Sequence, residues 1–200
     1  MPEVSTEKRI LDAARKVFLV KGMDGARMQD IADEAGINKA LLHYYFRSKD
    51  KLFEQIFLDV ASALLPRIFA ILESDRGLFE KIENFCDEYI SQLIETPYVP
   101  IFILNEINRQ PQTFLKKVLG KKKPPLQKMI SQIDHEVRAG QIRPIDPLSL
   151  LMNILSLCIF PFLAGPLLQH VSSMDTKAFH ALMEKRKKEV PRMIIASIKK

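Results

Sequence analysis

An all-α fold is what the sequence predicts, and three observations predict it. Glycine is scarce, with 7 in 200 residues. Ala, Leu, Ile, Lys and Glu recur at spacings of three and four, while alternating runs of β type are short. Capping residues and prolines then divide the chain into about nine helical segments. A chain of this length is large enough to bury a real core as one large domain or two small ones.

The first segment starts at Ser5, an N-cap, with Glu7 in the first turn where the helix dipole favours an anion. Ile10, Ala13, Ala14, Val17 and Phe18 form its apolar stripe, and Gly22 is placed to stop it. Short helices are expected over about Met28 to Ala35 and Lys39 to Tyr45. A fourth opens after the cap Ser48 and continues past Leu64, with Pro66 bending or breaking it. Residues 76–95 carry an apolar side of Phe79, Ile82, Phe85, Tyr89, Ile90 and Leu93. Pro97 and Pro100 mark the next start, KKKPP (121–125) a break, and LQKMISQIDHEVRAG a helix ended by Gly140. Two long segments, 148–171 and about Thr176 to Ile198, complete the chain.

The net charge of +6 is unevenly spread. Residues 1–60 hold ten basic and ten acidic side chains, 61–110 four and eight, 111–200 sixteen and six. The excess sits in KKVLGKKK (116–123) and KRKK (185–188), runs that read equally well as solvated faces and as anion-binding ones. Cys86 and Cys158 lack CxxC or metal-type spacing and lie in apolar helical patterns, which predicts reduced core thiols in a cytoplasmic protein. The opening MPEVSTEKR has no apolar h-region, so no signal peptide is expected. Four histidines without ligand spacing, no phosphate-cradling glycine loop and no GxSxG elbow argue against an enzyme, a metal or a cofactor.

One stretch invites a membrane reading. Residues 147–169 contain no charged side chain, long enough to meet the threshold of about 18 to 20 residues for a span. Asn153, two serines, Pro161 and Pro166 stand against it, and an all-apolar helix serves equally in a core or a subunit interface. A membrane-anchored helical binding protein is thus the alternative reading.

The chemistry concentrates in QDIADEAGINKALLHYYFRSKDKLF, from Gln29 to Phe53. Ala32, Gly36 and Leu42 form a helix-turn-helix skeleton. A small residue lets two steeply crossed helices touch, a glycine makes the tight turn, and a leucine pins the second helix. With Leu42 and Phe46 inward and Asn38 as cap, Lys39, Ala40, His43 and Tyr44 remain outside, followed by Arg47, Lys49 and Lys51. Tyrosine hydroxyls and lysines suit phosphates, and Lys39 beside the small face at Ala40 and Leu41 suits base edges or a thymine methyl. The first-turn amides after Ser48 can take another phosphate. A domain division at 1–50, the DNA-binding head, and 51–200, the helical body, follows.

Residues 5 to 60 strongly resemble the DNA-binding head of the TetR (tetracycline-repressor) family, through ILDAARKVFLVKG and DIADEAGINKALLHYYFRSKDKLF at family-typical spacing. The resemblance implies a homodimer on a near-palindromic operator of double-stranded DNA, repressing genes until a small molecule enters the C-terminal domain. Carried over by position, Gln29, Lys39, Ala40, Leu41 and His43 face bases, while Tyr44, Tyr45 and Lys49 resemble phosphate contacts. The chain departs from the pattern at Arg27, where a capping Ser or Thr is usual; Arg27 becomes a candidate phosphate contact. Ala40 and Leu41 replace the commoner Gly and Thr, so the operator cannot be copied from a relative. Residues 147–169 and 176–198 fall where the family's dimer helices belong, with Phe160, Phe162 and Leu163 as core or interface candidates.

A mostly apolar effector cavity between body helices is expected, with Phe85, Tyr89, Phe102, Asn105, Met129, Ile133, Met152 and Phe160 as candidate lining. Such a lining suits a hydrophobic or amphipathic effector.

Overall fold

The computed structural model describes residues 5–109, 112, 116 and 125–200, apart from the side chains at 23, 102, 105, 106 and 109. Ten helices lie within the described residues: α1 (Thr6–Gly25), α2 (Met28–Ala35), α3 (Lys39–Tyr45), α4 (Lys49–Glu73), α5 (Leu78–Glu95), α6 (Val99–Arg109), α7 (Leu126–Arg138), α8 (Pro147–Leu163), α9 (Gly165–Val171) and α10 (Thr176–Ile198). The candidate side chains Phe102 and Asn105, and most of the basic run 116–123, lie outside the described residues.

Local signals set most of these boundaries. Ser5, Asn38, Ser48, Asp146 and Asp175 each cap a helix by accepting a backbone N–H three residues on. At Gly22 the backbone leaves helical geometry (φ 68°, ψ 177°), and a short further stretch runs to Gly25. Arg27 cannot accept a hydrogen bond, so half of a capping box stands in. Its backbone N–H donates to Asp30 Oδ2 at 3.0 Å, and Lys21 bonds the same carboxylate at 2.9 Å. These two donors hold the Asp30 carboxyl below its usual pKa, the Lys21 bond contributing most.

Two apolar cores form. The first gathers α1, α2, α3 and α4 as far as Ala61, beyond the residue-50 division, and takes in Tyr98 and Val99 at the start of α6. Tyr98 packs against Phe18 and Phe53 with ring centroids 6.1 and 5.7 Å apart. The second core joins the end of α4 to α5, α7, α8 and α10, and α10 lies along α5 in the most extensive helix pairing described. Within it Cys86 and Cys158 are free thiols with sulfurs 3.8 Å apart. The neighbouring thiol and burial both push the Cys86 thiol's pKa up. Lys81 is buried too; its ammonium donates to the Leu72 carbonyl at 3.1 Å, at the negative end of α4, while desolvation lowers its pKa.

The uncharged run departs from the single long segment expected. It forms two helices, α8 and α9, meeting at 67°. The break falls at Ala164, ahead of Gly165 and Pro166, rather than at Pro161, which stays inside α8 and is buried. Pro166 sits in the first turn of α9, where a missing N–H has no consequence. Leu150, Ile154, Cys158 and Phe162 anchor α8 in the second core. The run is bent and fixed to the body at these four residues, which lends no support to the membrane-anchored alternative. Helix α4 has the length and hydropathy of a span, yet its buried residues serve both cores.

Pro161 has a second effect. In an unbroken helix residue 161 would donate to the Leu157 carbonyl, and proline has no N–H. Arg186 of α10 supplies the missing donor, with Nη2 2.7 Å from that oxygen. Pro66 needs no such help, since it and Ser62, whose carbonyl it leaves free, are exposed.

Candidate nucleic-acid interface

The turn between α2 and α3 carries the design. Gly36 adopts φ 64° and ψ 38°, and its N–H closes the end of α2 on the Asp33 carbonyl at 3.1 Å. Arg9 adds a donor to the Ala35 carbonyl at 2.8 Å. Ala32 and Leu42 are fully buried, so the two helices meet at a methyl group and hang from one leucine. Lys16 to Glu34 and Arg15 to Asp59 tie α1 to α2 and to α4.

Within α3 only Leu42 is buried. Lys39, Ala40, Leu41, His43, Tyr44 and Tyr45 all face solvent, Tyr44 at 81% exposure. The Tyr44 and Tyr45 rings meet edge to face at 5.5 Å, and Tyr45 is 41% exposed, leaving both hydroxyls a route outward. His43 Nδ1 lies 3.4 Å from the Arg47 carbonyl. A carbonyl only accepts, so a hydrogen bond there uses the proton on Nδ1. Gln29 and Arg27 are exposed at the start of α2, where Gln29 also donates to Asp33 at 2.7 Å.

Lys49, an expected phosphate contact, also has an internal partner. It donates to the Ala26 carbonyl at 3.1 Å, binding the α1–α2 turn to the start of α4. The ammonium's two other N–H donors are not engaged by that bond. The sequence could not show it, because the two residues are 23 positions apart. The other expected head residues are all exposed, Arg27 and Gln29 at the start of α2 and the rest on α3, a helix short enough for a major groove.

The body distributes the other candidates differently. Met129 and Ile133 are buried, and Phe85 stacks on Tyr89 with centroids 5.4 Å apart. Burial pushes the Tyr89 hydroxyl up to about 12. These four join the second core. Met152 and Phe160 do not: they are 55% and 58% exposed on the outer face of α8, beside Leu148 and Leu155. An all-apolar helix gives no periodic sign of which face turns inward, so the sequence could not place them. A groove of about 650 Å³ lies between α5 and α10, with none of the eight candidates in its lining.

A buried-alanine, left-handed-glycine helix pair presenting a solvent-facing recognition helix on an all-helical body defines a helix-turn-helix DNA-binding regulator. Residues 10–56 match the family described as bacterial regulatory proteins, tetR family. The chain is 26% identical over 148 residues to the HTH-type transcriptional regulator RutR of Escherichia coli K12, covering 74% of this chain and 69% of that one. It is 29% identical over 112 residues to IcaR of Staphylococcus aureus Newman, the biofilm operon icaADBC negative transcriptional regulator, covering 56% and 59%. The ketosteroid transcriptional regulator KstR2 of Mycobacterium tuberculosis shares the fold, with a TM-score of 0.71 at 15% identity over 99% of this chain and 97% of that one. The head of the chain, residues 10–56, is that of the tetR family of bacterial regulatory proteins. Its relatives are regulators rather than enzymes.

Proposed function

We propose that this regulator is a cytoplasmic repressor that binds a near-palindromic operator as a homodimer and is released by a small, largely apolar effector. The observation that carries the reading is α3, where one leucine is buried and the other six residues are left exposed for a partner. Base edges fall to Gln29, Lys39, Ala40, Leu41 and His43, and phosphates to Tyr44, Tyr45 and Arg27. Pairing through α8 and α10 is supported by Leu148, Met152, Leu155 and Phe160 on one and Leu182 and Met193 on the other, all apolar and exposed in the single chain. No catalytic step is assigned to it.

Release follows from population shift. An effector that favours a head spacing mismatched to the operator lowers DNA affinity by its differential binding free energy. Helix α4 is the lever, since it starts at the DNA surface and ends in the second core.

The test is selection of genomic fragments by the purified protein, read by sequencing, beside a Lys39→Ala/Tyr44→Ala variant. The expected result is an enriched near-palindrome that the variant loses, with affinity reduced at least about tenfold at roughly 1–3 kcal/mol per lost contact. A folded, ligand-stripped dimer that enriches nothing over the variant refutes the reading.

A further inference from the structure

The groove between α5 and α10 is unused by operator binding, and its lining is chemically lopsided. Lys188, Arg192 and Ile195 fall at spacings of four and three, so they share one face of α10, and Lys199 follows just past its end. On the opposite wall Asp87 is already paired with Lys187 at 3.4 Å, leaving Glu83 as the lining carboxylate without an ion pair among the described residues. Lys188, Arg192 and Lys199 likewise have none there, so the groove carries excess positive charge. Pro191, Ile195 and Ala196 give it an apolar floor.

A second, independent observation points the same way. Asn84, on the α5 wall, has its Nδ2 buried and without a hydrogen-bond partner. A buried amide donor left unpaired is costly, and native proteins rarely leave one without an acceptor to receive. Asn84 is itself one of the residues lining the groove, across from Lys188 and Arg192 of α10. The volume of about 650 Å³ falls within the range of small-molecule sites.

We infer that the α5–α10 groove is a binding site for a small amphipathic anion, its carboxylate or phosphate head held by Arg192, Lys188 and the Asn84 amide and its apolar body on Pro191 and Ile195. Arg192 presents the planar fork that pairs with either oxyanion, and Lys188 and Lys199 add point charges on both sides. Because the groove lies apart from α3, this site stands or falls independently of operator recognition.

Calorimetric titration of the full chain, without DNA, tests it. The probes are octanoate and octyl phosphate, beside inorganic phosphate as a head without a body and octyl glucoside as a body without a charge. Both anionic amphipaths are expected to bind at least about tenfold more tightly than either control. The tighter of the two assigns the head as carboxylate or phosphate. Lys188→Ala/Arg192→Ala, at exposed positions, is expected to weaken binding at least about tenfold with an unchanged melting temperature, and Asn84→Ala roughly threefold. Equal affinity in the wild type and the double variant, or no binding of either amphipath at millimolar concentration, overturns the site.

Discussion

At Gly36 the cost of a side chain is conformational rather than steric. An added Cβ would meet Arg9 Nη2 at 3.5 Å, an ordinary contact, but φ of 64° is a region other residues enter only with strain. Gly36→Ala is therefore expected to lower stability by about 1 kcal/mol in urea unfolding, and Gly36→Asn by less. A Gly36→Ala protein as stable as the wild type would mean that the turn is not what holds α3 in place. Ala32, Gly36 and Leu42 were legible in the sequence because turn chemistry acts over a handful of residues. Lys49 was not, since its partner Ala26 is brought near only by the folding of the whole head.

Between elements, the pairing of Pro161 with Arg186 makes the sharpest test. Arg186→Met leaves the Leu157 carbonyl without its donor in the interior, which should cost about 1–3 kcal/mol. Pro161→Ala restores the backbone N–H, so the double variant is expected to recover more than half of that loss. Chemical denaturation of all four proteins in a double-mutant cycle gives the coupling, and strictly additive losses would refute the assignment. The starts of α3 and α4 could be read to the residue, because Asn38 and Ser48 act three positions away. The α8–α9 break could not. Two prolines competed for it, and the carbonyl that Pro161 leaves free is met by an arginine 25 positions on, invisible to local pattern.

Across the whole molecule, the exposed apolar face of α8 has to be covered by something. Met152→Glu/Phe160→Glu is expected to convert a sedimenting dimer into a monomer. Operator affinity should then fall at least about 100-fold, since each head binds one half-site and pairing supplies the avidity. A double variant that remains dimeric would place the subunit contact elsewhere. The all-helical class was plain from periodicity and caps. Which face of α8 looks outward was not, because hydrophobicity on every side carries no direction.

Tyr98 gives the molecule a further property. Its ring, set just ahead of α6, completes an aromatic trio with Phe18 and Phe53 inside the head. The reading unit is thus not a detachable cassette. A chimera spliced at residue 50 would strip Phe18 of both neighbours, while one exchanged with α4 to Ala61 and the 98–99 corner carries its own interior with it. Any recombination that gives this family new pairings of operator and signal must respect that three-piece seam.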